Sequence, residues 1–186
     1  MMASNLSGGA WFDANQANFP NSSRVEDLAP PFREHSVEFI SALDEAGATV
    51  HVTATRRDAR RAALMQRSWD LAHGMLDPKH VPPIPGVDIN WDHGSLAASK
   101  AAAQAMVNRF GIVFRPSLNS LHILGLAIDM NVTWAGTIQV TNKAGHKTPV
   151  GSPHNGADNT TLHAIGATYG VNKLLSDKPH WSSTGH

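Results

Sequence analysis

The stretch SLHILGLAIDM, residues 120–130, carries two side chains that a hydrophobic core does not accept unpaired. His122 and Asp129 lie among apolar residues, seven positions apart, with Gly125 between them. On one continuous strand this odd offset would direct the two side chains to opposite faces. Gly125 permits a bend in the chain, and after such a bend the imidazole and the carboxylate could converge on a metal ion.

The stretch SDKPHW, residues 176–181, offers a third ligand in His180. A catalytic zinc site has about three protein ligands and keeps its fourth position for water. Pro179 restricts its own φ and disfavours helical backbone at the residue before it, which predicts a rigid extended turn. Asp177, three residues before His180, could lie near that water without binding the metal, as a general base must.

Three motifs in this chain, taken together, resemble those of one family of zinc peptidases. SLHILGLAID fits the pattern S-x-H-x-x-G-x-A-x-D, and DKPHW fits the pattern acidic-x-x-His-Trp that follows it. TATRRDARRAAL, residues 53–64, is similar to the family's segment S-G-Y-R-x-x-x-x-Q-A-x-L. The family contains D-Ala-D-Ala carboxypeptidases and L-alanyl-D-glutamate endopeptidases, many phage endolysins among them. The resemblance covers roughly residues 30–184 and implies a single-domain DD-peptidase/hedgehog-like zinc fold.

The resemblance implies a role for each residue that matches a motif. His122, Asp129 and His180 would bind one zinc ion, and Asp177 would be the base that activates the zinc-bound water. Arg56, at the end of a strand, would contact the substrate or polarise its carbonyl. The alternative for Arg56 is a place on a solvated helix face, because four more arginines follow it closely.

Two further residues would surround the site, and two positions depart from the family pattern. Ser120 would lie beside the site as a hydrogen-bonding group, and Trp181 would pack against His180 and fix its ring. Asp177 stands where many family members carry Glu, and Thr55 stands where Tyr is common. Because Asp is one methylene shorter than Glu, the backbone would have to approach the site more closely.

The resemblance implies a hydrolase that degrades the peptide stems of peptidoglycan in the cell wall. The first hypothesis is an L-Ala–D-Glu endopeptidase that acts as a phage endolysin, released by a holin, by lysis or by virion delivery. A D-Ala-D-Ala carboxypeptidase shares the motifs and stays open as an alternative. A non-catalytic zinc-binding virion module is a third hypothesis, against which the intact Asp177 and Arg56 argue.

The composition excludes several other classes of protein. Fifteen basic residues balance fifteen acidic ones among 186, which argues against non-specific nucleic-acid binding. Because the chain has no cysteine, its metal ligands must be His, Asp or Glu. No apolar run approaches the roughly 20 residues that span a bilayer, and the first residues do not fit a signal peptide. We therefore expect a protein that is made soluble in the host cytoplasm, without stable membrane association. We also expect a monomer, although no feature of the sequence sets the oligomeric state.

Hydrophobic periodicity predicts the elements that must position these residues. Residues 1–28 are predicted to be an irregular arm and residues 29–186 the catalytic domain, with a proline-rich loop at 75–95 whose role stays open. The predicted class is α+β, with a small antiparallel sheet and flanking helices. The predicted helices are a segment from Pro30 to Gly47 and residues 56–74, 96–110 and 159–170. The predicted strands are residues 48–55, 111–117, 126–134, 136–142 and 171–175. Residues 143–158 are predicted to be a polar loop.

Overall fold

A computed structural model describes residues 5–186 and has an α+β architecture. Its helices are α1 (Gly9–Asn15), α2 (Phe32–Glu45), α3 (Ala59–Ala72), α4 (Leu96–Phe110), α5 (Leu121–Leu124) and α6 (Thr160–Thr168). Its strands are β1 (Thr49–Ala54), β2 (Ala127–Thr133), β3 (Ile138–Thr141), β4 (Lys147–Val150), β5 (Asn172–Lys173) and β6 (His180–Ser182). The predicted class, a small antiparallel sheet with flanking helices, is confirmed.

The described chain divides into two compact units. The first consists of residues 5–20 and 58–120 and contains α1, α3 and α4. The second consists of residues 21–57 and 121–186 and contains every strand named above. Each unit encloses its own cluster of buried apolar side chains, so burial of apolar area stabilises each of them.

In the first unit, α1 lies within the segment that was predicted to be irregular. Trp11 and Phe12 of this helix are buried, and Phe19 stacks on Trp11 with ring centroids 6.2 Å apart. Seven residues are too few to display a helical period, so aromatic burial rather than local pattern stabilises α1. The boundary at residue 28 stays a prediction.

Residues 111–117 of the first unit, predicted as a strand, form none. The guanidinium of Arg115 donates to both carboxylate oxygens of the buried Asp70, at 2.7 and 2.9 Å. The amide of Gln66 donates to the carbonyl of Pro116 at 3.2 Å. Side chains of α3 therefore hold this segment without strand pairing, and the apolar run alone did not reveal these contacts.

The second unit is built on an antiparallel sheet with strand order β1-β2-β6-β5. Large side chains on one face of this sheet, such as Ile128 and Trp181, join Phe32 and Phe39 of α2 in the core. A separate hairpin pairs β3 with β4, which lies in the segment 143–158 that was predicted as loop. That prediction is wrong because β4 reads Lys-Thr-Pro-Val and has no apolar alternation.

Candidate metal centre

His122 lies on a short helix, not on the bent strand that the sequence predicted. The helix α5 has only four residues, and its end is closed by two backbone hydrogen bonds. Gly125 donates to the carbonyl of His122 at 3.2 Å, and Leu126 donates to the carbonyl of Leu121 at 2.9 Å. This is the Schellman arrangement that ends many helices. The apolar letters of α5 resemble a strand because one helical turn is too short to show its period.

Gly125 closes α5 with a backbone conformation that other residues avoid. Its φ is +71°, in the left-handed region. A Cβ at this position would come within 2.9 Å of the backbone nitrogen of Ala29, which donates to the carbonyl of Gly125 at 2.9 Å. Glycine is therefore required here both for its φ and for the close approach of a second backbone segment.

Asp129 and His180 reach the centre from neighbouring strands. They stand directly opposite each other in the antiparallel pair of β2 and β6, so their side chains lie on the same face of the sheet. The adjacent pair, Ile128 and Trp181, faces the other way, into the core. The alternation of the strands thus separates a polar face that carries the ligands from an apolar face that stabilises the sheet.

The three predicted ligands converge on one point. Nε2 of His122 lies 3.2 Å from Oδ1 of Asp129 and 3.2 Å from Nδ1 of His180, and the last two atoms are 3.1 Å apart. A tetrahedral zinc ion with bonds of about 2.0–2.1 Å holds its ligand atoms about 3.3–3.4 Å apart. The triangle therefore fits a tetrahedral ion within a few tenths of an ångström.

The outer nitrogen of each imidazole faces a backbone oxygen. Nδ1 of His122 lies 2.6 Å from the carbonyl of the buried Thr55, and Nε2 of His180 lies 3.3 Å from the carbonyl of His186. A backbone oxygen only accepts, so each outer nitrogen carries a proton, and in the neutral ring the inner nitrogen presents a lone pair. Backbone partners of this kind orient histidines that bind metals.

The inward atoms of the triangle are all electron-rich. Burial raises the pKa of the Asp129 carboxyl, but hydrogen bonds from the inner nitrogens of His122 and His180, when these nitrogens carry protons, outweigh burial and hold that pKa well below its ordinary value. The carboxylate is therefore ionised at neutral pH, and it faces two imidazole lone pairs when both rings are neutral. Three such atoms this close together repel one another unless a proton or a metal cation lies among them. The donor set, two imidazoles and one carboxylate, is one that zinc uses.

Asp177 and Arg56, the predicted base and substrate contact, are both exposed. Asp177 lies on a compact turn rather than an extended one, since its carbonyl accepts the N–H of His180 at 3.1 Å. Arg56 follows the end of β1, and its carbonyl accepts the N–H of Ser22 at 2.9 Å. The structure joins three of the predicted residues in the triangle and leaves these two side chains at the surface.

Arg57 is a residue near the centre that the sequence did not single out. Its backbone N–H donates to the carbonyl of His122 at 3.0 Å, and its Nε donates to Asn21 at 3.1 Å. Burial lowers the pKa of the Arg57 guanidinium, while the charge of Asp129 raises it. Five arginines within twelve positions gave no signal that would separate this one from its neighbours.

The two predicted supporting residues lie in different surroundings. Ser120 is half-buried and directly precedes α5 in the chain. The Trp181 ring is completely buried, 5.6 Å from the ring of Phe39 and 5.5 Å from that of His163, measured between centroids. Trp181 therefore packs into the core from the face of β6 opposite to His180.

No protein-family model, curated protein or solved structure matches the chain. Within residues 5–186, none of the helices is long and apolar enough to cross a membrane. Within the same residues, the side chains of His122, Asp129 and His180 form a group that could share one metal ion. The geometry of this group is consequently the main structural guide to function.

Proposed function

We propose that the protein is a zinc-dependent hydrolase of peptidoglycan stem peptides, an L-alanyl-D-glutamate endopeptidase of the phage endolysin type. The observation that carries the proposal is the triangle of His122, Asp129 and His180, whose inward atoms lie 3.1–3.2 Å apart. The motifs around these residues, which resemble those of the zinc peptidase family, support the choice of substrate.

Each of the three residues of the centre would contribute one donor atom to a bound ion. When bound, zinc supplies a Lewis acid and lowers the pKa of a water to about 7. His122 and His180 contribute neutral donors whose outer N–H groups are engaged by backbone oxygens. The Asp129 carboxylate contributes the negative charge, so the three ligands together reduce the charge of a divalent ion by one unit.

Hydrolysis of an amide also requires a general base and a donor to the carbonyl oxygen, and Asp177 and Arg56 have side chains suited to these two roles. The Asp177 carboxylate would take a proton from the attacking water and return it to the leaving amine. The Arg56 guanidinium would donate to the carbonyl oxygen as it gains negative charge. Because both side chains are exposed, each is accessible to a substrate from solvent.

The bond that is cleaved can be identified from the products. Hydrolysis between L-Ala and D-Glu adds one water and leaves a new carboxyl on L-Ala and a new amino group on D-Glu. We expect purified peptidoglycan, digested with the zinc-loaded protein, to yield stem peptides with amino-terminal D-Glu by mass spectrometry. Free D-Ala without such peptides would instead identify a D-Ala-D-Ala carboxypeptidase.

The Asp177→Asn variant tests the proposed base. We expect its kcat to fall by about 10²–10⁴-fold, because a positioned general base contributes that much, while its zinc content stays at one ion per chain. Asp44→Asn is the matched control, since Asp44 is an exposed carboxylate on α2. Its kcat should equal that of the wild type.

A non-catalytic zinc-binding module is the second candidate. The exposure of Asp177 favours it, since a base is more often partly enclosed with its substrate. This candidate predicts stoichiometric zinc in the wild type together with no release of peptides from peptidoglycan.

Zinc binding with unchanged lysis in Asp177→Asn would show a hydrolase that uses another base.

A further inference from the structure

Lys173, at the end of β5, lies beside the turn that leads to the ligand His180. Its ammonium donates to three backbone carbonyls, those of Leu174 at 2.5 Å, Asp177 at 2.6 Å and His180 at 3.1 Å. An ammonium has three N–H donors, so these carbonyls use all of them. Nζ also lies 5.7 Å from the centroid of the Trp181 ring, within cation–π range.

The carbonyls of Leu174 and Asp177 belong to the turn and that of His180 to the first residue of β6, and all three also accept backbone hydrogen bonds. Asp177 donates to the carbonyl of Leu174 at 3.3 Å, and His180 donates to the carbonyl of Asp177 at 3.1 Å. Leu174 in turn donates to the carbonyl of His180 at 3.1 Å. Lys173 adds a positive charge at the point where these carbonyl dipoles converge, and hydrogen bonds to a charged donor are stronger than neutral ones.

We infer that Lys173 is a positioning residue for the metal centre and acts through the backbone of residues 174–180. This turn carries the ligand His180 and the proposed base Asp177, so its conformation decides where both side chains are directed. The inference deepens the proposed function, and for His180 it depends only on metal binding at the triangle. Lys173 itself contacts neither the ligand atoms nor, in our proposal, the substrate.

The electrostatic effect of Lys173 has the opposite sign from its positioning effect. A cation near a divalent metal ion repels it, so removing the charge alone would make zinc bind more tightly. Loosening the turn would make zinc bind more weakly, because partners that orient metal ligands are typically worth about 10–100-fold in affinity. The direction of the change in zinc affinity therefore distinguishes the two effects.

The test compares Lys173→Met with Lys143→Met in the full-length protein. Lys143 is a matched control because its Nζ also lies over an aromatic ring, 6.0 Å from the centroid of Tyr169, but it pairs with Glu38 on the surface. The zinc dissociation constant is measured by chelator competition. We expect it to rise about 10–100-fold in Lys173→Met and to stay unchanged in Lys143→Met.

Two further measurements separate positioning from general stability. The visible spectrum of the cobalt-substituted protein reports ligand geometry and should change in Lys173→Met. Lys173→Arg, which keeps the charge and the donors, should recover most of the zinc affinity. A purely structural role would lower the unfolding temperature of the metal-free protein and leave the dissociation constant and the spectrum unaltered.

The outcomes distinguish this inference from the proposed activity. Unchanged or tighter zinc binding in Lys173→Met overturns the inference. If the Met variant does not fold, the zinc dissociation constant of Lys173→Gln, with a smaller polar side chain, is interpreted in the same way. A wild type that binds zinc but does not cleave peptidoglycan overturns the proposed activity and leaves the inference intact. A wild type that binds no zinc overturns both.

Discussion

The two histidines of the centre are held in different ways. His122 lies on the four-residue helix α5, and its outer nitrogen faces the buried carbonyl of Thr55 at 2.6 Å. The outer nitrogen of His180 lies 3.3 Å from the carbonyl of the exposed His186. One imidazole is therefore restrained directly by a short bond to a buried group, whereas the other depends more on its strand and on the turn before it.

This difference has an energetic consequence. A buried carbonyl that loses its donor costs about 1–3 kcal/mol, because water cannot replace the donor. The backbone oxygen of His186 also accepts from the hydroxyl of Ser182 at 3.0 Å, so it keeps a donor when His180 is removed and the cost is smaller. The region around His122 should therefore be rigid before any ion binds, while the region around His180 should respond more to changes in its surroundings.

The largest expected effect follows from removing either ligand. His122→Ala and His180→Ala should both lose stoichiometric zinc, measured by elemental analysis after gel filtration. In the metal-free state, His122→Ala should lower the free energy of unfolding by about 1–3 kcal/mol more than His180→Ala, because the carbonyl of Thr55 loses its donor. Equal losses in urea titrations would contradict the comparison.

Adding zinc should have the next largest effect. An ion that binds only the folded chain stabilises it by about 2.7 kcal/mol when the free ion concentration is 100 times the dissociation constant. We expect thermal unfolding of the wild type to shift upward accordingly and to return on chelation. Neither His122→Ala nor His180→Ala should respond, and a shift that persists in both variants would place the binding outside the triangle.

Gly125→Ala sharpens the comparison from the side of α5. A left-handed conformation costs an L residue about 1–2 kcal/mol, and at Gly125 the new Cβ would also approach the nitrogen of Ala29. Gly136→Ala is the matched control, since its φ is +63° and a Cβ there would meet no atom within 4 Å other than those of its own residue and its chain neighbours. Gly125→Ala should therefore lower the free energy of unfolding more than Gly136→Ala. Equal losses in the two variants would show that the backbone at Ala29 moves away from the new Cβ without loss of stability.

Elements with strong local signals were predicted well. The sequence predicted α4 at 96–110, where the structure has it, because Ser95 caps the helix through a bond from the N–H of Ala98 and Gly111 ends it with a φ of +67°. Strands β1 and β2 were also predicted to within about two residues. In each case, capping residues or apolar alternation act over a few neighbouring positions.

Elements whose stabilising partners are distant in sequence were missed. Helix α1 depends on the burial of its aromatic residues, and residues 111–117 depend on Asp70 and Gln66 of α3. In the centre, the convergence of the ligands was expected, but the element that carries His122 was wrong. Arg57 and Lys173 gave no local signal, because their hydrogen bonds to backbone carbonyls and the electrostatic effect of Asp129 on Arg57 do not depend on a sequence pattern.

The sequence by itself determined the chemistry that is available: two imidazoles and a carboxylate, no thiolate, and a glycine where the chain must turn. Only the tertiary structure decided that these atoms lie 3.1–3.2 Å apart and which nitrogen of each histidine faces inward. The physical reason is that donor type is a property of a single residue. Tautomer and distance depend on backbone oxygens and strand pairings, which bring together distant segments: the carbonyl that His122 faces belongs to Thr55, and Asp129 of β2 pairs with His180 of β6.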